Sequence, residues 1–287
     1  MFVKSSKCSA EALQSAANFV CNNQDFLHEN FPFCSNPDDV KHVLATPRGW
    51  YVLTADGSAT VFKLEISPPT AIVERVCASG GSLLTVASRL REELHGLKVA
   101  HMAIKVPPSE EGILKTDGFT KRGVYVKFSR VPEETEMMPI LPLTNVTQKE
   151  LPVLTRLMFD AYAKSAYPLP DIRTADERLR SIMLGSQGEY LSSASFASGA
   201  FPNLVSACLV TKDSSGVAVI SELFTHPLYR ARGLATTQIA LGMSQLASTG
   251  VRSVVAWNRE GNEVVSRLLA KMGFRRDPSV VEMAAEC

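Results

Sequence analysis

Apolar residues along this chain alternate between a period of two and a period near 3.6, and the order in which the periods change predicts its elements. Residues 50–54, 59–66 and 71–77 are rich in β-branched and aromatic side chains and predict strands. After Gly80-Gly81, Leu83, Ala87, Leu90 and Leu94 recur at helical spacing as far as His95. Residues 101–106 predict a further strand, and a short helix ends at Gly118-Phe119.

A related succession returns downstream. Thr147-Gln148-Lys149-Glu150 has the form of a capping box and opens a helix with Leu151, Leu154, Met158 and Ala161 on one stripe, which stops near Tyr167-Pro168. A second box, from Thr174 to Glu177, predicts another short helix. Strands are expected at 189–198, 204–211 and 216–225, then a helix from Gly233 to about Ser248 with Ile239, Met243 and Leu246 inward. A short strand at 253–257 and a helix led by Asn262 follow; Val265, Leu268, Leu269 and Met272 form its stripe, and Gly273-Phe274 ends it.

The repeated order, closed each time by Gly-Phe, predicts tandem copies of one fold: a first domain over 1–130, a linker over 131–140 and a second domain over 141–287. The linker reading rests on the proline-bearing acidic stretch that runs from Val131 through Glu133, Glu134 and Glu136 to Pro139. A 287-residue chain is long enough for two such domains.

Composition narrows the classes of function. The chain is 45% hydrophobic and 21% charged, with a net charge of +1, so the overall balance favours neither nucleic acid nor an anionic membrane. No apolar run reaches the ~20 residues that span a bilayer, and the N-terminus has no signal-like apolar region, so the cytoplasm is the expected location. The six cysteines and five histidines show no metal-ligand spacing, and no metal is expected. An oligomer is possible but not indicated.

Chemistry concentrates in residues 222–235. A strand ends at His226-Pro227, a loop carries Arg230, Ala231 and Arg232, and Gly233-Leu234-Ala235 begins a helix. Amides at a helix N-terminus have no intrahelical partner and lie at the positive end of the macrodipole, so this is a cradle for a phosphate or diphosphate. The spacing is neither that of a P-loop nor that of a dinucleotide-binding turn.

In Arg230-x-x-Gly233-x-Ala235 and the surrounding element order, the chain resembles the GNAT superfamily of N-acetyltransferases, whose Arg/Gln-x-x-Gly-x-Gly/Ala loop holds the pyrophosphate of acetyl-CoA. The spacing from Asn262 to Gly273 also fits. The resemblance implies an α/β (α+β) fold of two tandem GNAT domains, each a mixed, mostly antiparallel central sheet flanked by helices. It implies acetyl-CoA as acyl-donor cosubstrate, an amine of a small molecule or peptide as acceptor, and direct N-acetyl transfer. Implied cofactor contacts are Leu223, Phe224 and Thr225 through strand amides, Arg230, Ala231, Arg232, Gly233, Leu234 and Ala235 through the loop, and Asn262.

For the base the expectation is Glu222, which period-two alternation places on one face with Phe224 and His226; His226 fits a turn better. Tyr162, Tyr167, Asp171 and Arg173 stand where acceptor-lining residues are implied. Many relatives carry a tyrosine acid where this chain has Leu269, so Ser266, water or no specific acid protonates the leaving thiolate. The first copy has Cys77-Ala78-Ser79-Gly80-Gly81 at its helix start, without the arginines, and reads as degenerate. A non-catalytic acyl-CoA-binding, regulatory or scaffold protein is the alternative.

Overall fold

A computed structural model of the 287-residue chain describes residues 3–4, 7–22, 36–45, 50–55, 58–67, 70–78, 83–163, 165, 167–185, 188–213 and 216–287. The chain forms two compact units. One is Met1–Tyr125 together with Pro278–Cys287; the other is Val126–Asp277.

The first unit contains β1 (Val3–Lys4), α1 (Ala10–Asn22), α2 (Pro37–Ala45), β2 (Trp50–Ala55), β3 (Ser58–Ser67), β4 (Thr70–Ala78), α3 (Leu83–Gly96), β5 (His101–Val106) and α4 (Glu111–Thr116). Strands β1 to β4 pair antiparallel in chain order, and β4 pairs parallel with β5. The sheet continues with the last strand of the chain, Arg275–Glu286, antiparallel to β5 from Val281 opposite Val106 to Glu286 opposite His101. Val281 and Met283 thereby join Phe62, Val73, Leu90 and Met102 in one apolar core. Ala87, Leu90 and Leu94 of α3 are fully buried and Leu83 partly so, as their spacing predicts. Gly80-Gly81 lies outside the described residues.

The second unit contains the end of β6 (Thr120–Arg130), β7 (Leu143–Asn145), α5 (Leu151–Tyr162), α6 (Ile172–Met183), β8 (Glu189–Tyr190), β9 (Phe196–Ser198), β10 (Ser206–Lys212), β11 (Ala218–Thr225), α7 (Leu234–Ser248), β12 (Val254–Arg259) and α8 (Glu263–Lys271). Its sheet runs β6-β12-β11-β10-β9-β7, with β8 also on β10. Only β11 and β12 among the pairs described here run parallel; β10 pairs antiparallel with β8, β9 and β11. One face carries α7 and α8, where Ile239, Met243, Leu246 and Leu269 meet Cys208, Val210 and Ala218. The other carries α5 and α6, where Leu154, Met158, Leu179 and Ile182 meet Ala207, Leu209 and Phe224. The fold is a mixed α/β architecture with a mostly antiparallel sheet between helices.

Several local expectations are corrected. Helix α6 starts at Ile172 because Asp171 caps it, Oδ1 accepting from the Thr174 amide at 2.7 Å, so Thr174 lies inside the helix. The strand expected at 189–198 is broken by a 3-10 turn, Ser192–Ala194. There Ser195 Oγ accepts from the Val210 amide at 2.9 Å and donates to the Leu191 carbonyl at 2.8 Å, so a side chain replaces a rung of the ladder. The capping box at Thr147 is present: Glu150 Oε2 accepts from the Thr147 amide at 2.8 Å.

The stretch 131–140 falls within the second unit, whereas the expected domains were 1–130 and 141–287. The Thr135 amide donates to Ser244 Oγ at 3.4 Å, Met137 packs on the α7/α8 core, and Ile140 lies against Gly233. Residues 278–287 fall within the first unit.

Candidate active site

The site is organised by one inserted residue on β11. Leu209 of β10 stands opposite Glu222 and Val210 opposite Ile220, which leaves Ser221 as a β-bulge. Before the bulge Ala218 and Ile220 face the α7/α8 core, and after it Phe224 faces the α5/α6 core. The bulge therefore inverts the alternation and turns Glu222 towards α5 and α6.

Glu222 is only 4% exposed, and two side chains meet its carboxylate. Tyr162, in the last turn of α5, donates its hydroxyl to Oε2 at 3.0 Å. Arg178 on α6 pairs through Nε with Oε1, and its guanidinium lies 5.7 Å from the Tyr162 ring centroid. Burial raises the Glu222 pKa above the usual carboxylate range, while the Arg178 cation and the Tyr162 hydrogen bond pull it back down. Burial and the neighbouring carboxylate raise the Tyr162 phenol, so it stays a donor.

Beyond the bulge β11 also leaves its parallel neighbour. The pairing with β12 joins Ala218, Val219 and Ile220 to Val254, Val255 and Ala256, and among the described residues it goes no further along β11. Leu223, Phe224 and Thr225 thus lie past the end of the parallel ladder among the described residues. Phe224 is buried in the α5/α6 core, so its contribution towards a ligand is limited to main chain. A buried polar set braces this strand end: Ser206 Oγ lies 2.8 Å from Thr225 Oγ1 and donates to Gln238 Oε1 at 3.1 Å, while Gln238 Nε2 donates to Ser198 Oγ at 2.9 Å.

The loop ahead of α7 has an unusual backbone. Ala231 and Gly233 both take positive φ, at 58° and 78°, on either side of Arg232. Gly233 is the N-cap of α7 and offers no side-chain cap, so the first amides of the helix, from Leu234 and Ala235 onward, lack an intrahelical acceptor. The first bond of the helix runs from the Thr237 amide to the Gly233 carbonyl at 3.0 Å. A Cβ at position 233 would come within 2.9 Å of Ile140 Cδ1.

The two arginines divide their work. Arg230 donates from Nη2 to the Ala161 carbonyl at 2.7 Å and from Nε to the Thr225 carbonyl at 3.3 Å, tying the end of β11 to the last turn of α5. A cation is favourable at that helix end, where carbonyls are left over. Arg232 is exposed and lies 5.2 Å from the Tyr229 ring centroid. His226 is a turn residue: it caps the 3-10 turn Pro227–Tyr229, its Nδ1 accepting from the Leu228 amide at 3.3 Å.

Around α8, buried Asn258 donates from Nδ2 to the Asn262 carbonyl and to Ser266 Oγ, both at 2.9 Å. Ser266 is thus fixed in place, and Asn262 precedes α8 without capping it by its side chain. Leu269 is 1% exposed in the α7/α8 core and brings no proton donor. Of the other sequence-predicted residues, Tyr162 reaches Glu222, whereas Tyr167 donates to the Glu260 carbonyl at 3.4 Å beneath the Arg259 guanidinium. Asp171 is the α6 cap, and Arg173 is an exposed partner of Glu177 at 3.8 Å.

Arg178 was not expected. It falls three residues after buried Ala175 and four before buried Ile182, so it is a charge on the margin of an apolar stripe. That position is the signal in the sequence that marks it. Among the described residues no group of three or more His, Cys, Asp or Glu is placed to hold a metal, and no helix is long and apolar enough to cross a membrane.

Residues 155–274 of the chain match the acetyltransferase (GNAT) family. No curated protein matches it in sequence. Among solved structures, a GCN5-related N-acetyltransferase from Sphaerobacter thermophilus aligns with a TM-score of 0.66 at 13% identity, over 99% of this chain and 95% of that one. A tandem GNAT protein from the clavulanic acid biosynthesis pathway aligns with a TM-score of 0.62 at 15% identity, over 100% and 98%. A GCN5-related N-acetyltransferase from Kribbella flavida gives 0.52 at 14% identity, over 81% and 88%. At these identities the likeness is one of fold.

Proposed function

We propose that the second unit transfers an acetyl group from acetyl-CoA directly to a primary amine of a small molecule or peptide. The observation that carries this reading is the buried Glu222 carboxylate, turned by the Ser221 bulge to the point where β11 leaves β12. The amine nitrogen attacks the thioester carbonyl, Glu222 takes the proton that the nitrogen sheds, and the tetrahedral oxyanion collapses to amide and coenzyme A thiolate. Main-chain amides of 223–225 polarise the carbonyl. Those of 232–235, with the charge of Arg232, hold the pyrophosphate, and Asn262 lies beside the cofactor. With Leu269 unable to donate, Ser266 or water protonates the thiolate.

The first unit serves as a scaffold, so one acetyl-CoA binds per chain. Isothermal titration of the whole chain with acetyl-CoA is expected to give a stoichiometry of one; no binding overturns the reading. A thiol-release assay over an amine panel then separates catalysis from the second reading, non-catalytic binding, which the buried Leu269 favours. Glu222→Gln is expected to lower kcat/KM by about 10²- to 10⁴-fold, the usual contribution of a general base, with acetyl-CoA affinity retained. Full activity in that variant removes Glu222 from the mechanism.

A further inference from the structure

Arg178 shows in the sequence only as a charge beside an apolar stripe, yet it is the one cation that the described contacts place on the Glu222 carboxylate. Its side chain is 43% exposed, whereas that of Glu222 is 2% exposed, so the pair joins the surface of α6 to the interior. Among the described residues, Arg178 meets Oε1 and Tyr162 meets Oε2. A carboxylate offers about four lone-pair sites, so two partners leave room for a proton from the acceptor.

We propose that Arg178 is a positioning residue for this base: paired at Oε1, it holds Glu222 as a carboxylate with Oε2 turned to Tyr162, ready to take a proton from the acceptor amine. The proposal rests on the reading of Glu222 as the base. A carboxyl group buried without a cation takes up a proton rather than carry its charge out of water, and a protonated Glu222 is no base. Arg178 supplies that cation from α6 while its stem stays at the surface.

The neighbouring groups leave this task to Arg178. From α5 the facing titratable group is Tyr162, a neutral donor. From β10 the residue opposite is Leu209, and from the end of β12 Arg259 lies over Tyr167. The other charges described on the two helices pair among themselves: Arg156 with Asp160 at 3.1 Å, Arg180 with Asp176 at 2.6 Å and Arg173 with Glu177.

The test is a pH titration of the full chain by side-chain carboxyl NMR with ¹³C-labelled glutamate, the Glu222 resonance being assigned by its loss in Glu222→Gln. In Arg178→Gln the Glu222 midpoint is expected to rise by about 1–3 pH units, the range for losing an adjacent opposite charge. The acidic limb of kcat/KM against pH should move with it, and Arg178→Lys should restore most of both. An unchanged midpoint in Arg178→Gln overturns the proposal. Should that variant not fold, the Arg178 Nε resonance of the unaltered protein decides: it must follow the Glu222 titration, and its indifference overturns the proposal equally. A midpoint that moves as expected in a protein that transfers no acetyl group leaves the pairing standing and removes the acyl-transfer reading instead.

Discussion

Ser221 changes what its neighbours face. With it, Glu222 points to α5 and α6; without it, strict alternation from Ala218 would place Glu222 in the aliphatic layer under α7 and α8. Deleting Ser221 is therefore expected to abolish acetyl transfer and to lower Tm in a scanning calorimeter, because the carboxylate must neutralise or leave the core. Protonation follows the same local logic. Burial is the largest influence on Glu222 and raises its pKa, and a base acts only when deprotonated, so activity falls as pH drops through that raised value. The acidic limb of kcat/KM is expected above the ordinary carboxylate range; a limb within that range would contradict the burial seen here. Glu222 was legible as a polar residue in an apolar strand, but its pairing with Arg178 was not, because the two lie 44 positions apart on different elements.

Elements were legible where period and punctuation agreed. The stripes of α5 and α7 are buried as their spacing predicts, those of α3 and α8 are buried or partly so, and the box at Thr147 caps as its residues require. Elements failed where side chains competed with the backbone, at Asp171, which caps α6 three residues before Thr174, and at Ser195, which interrupts the strand after 189. Leu179 lies fully buried between α6 and the sheet. Leu179→Ala is expected to cost about 2–5 kcal/mol in urea unfolding, the range for a cavity of that size. Helix α7, capped by a glycine, has no side-chain partner for its first amides, and in the proposed reading the pyrophosphate of acetyl-CoA takes that place. Acetyl-CoA at about 100 times its Kd should then stabilise the protein by about 2.7 kcal/mol, read as a rise in Tm. Gly233→Val should lose most of that gain, since position 233 holds a φ of 78° and Ile140 Cδ1 stands 2.9 Å from the new Cβ.

At the scale of the molecule, each unit has its own core, but the first is not continuous in sequence. Its sheet includes the strand that ends the chain, and Val281, Met283 and Ala285 belong to its core. A chain ending at residue 277 is expected to lose the protection of amides 101–106 in hydrogen exchange while 126–277 keeps its own pattern. Equal protection in the shortened chain would show that the strand is dispensable. By itself the sequence determined the succession of elements, the repeat and the loop before α7, because these follow from periodicity, turn residues and spacing within one segment. Only the tertiary structure decided which face Glu222 takes, that Arg178 and Tyr162 meet it, that Arg230 braces α5, and that residues 278–287 complete the first sheet. Those depend on a bulge, a helix capped earlier than its apparent box and a pairing across most of the chain, and contacts between distant segments leave no period in the sequence to read.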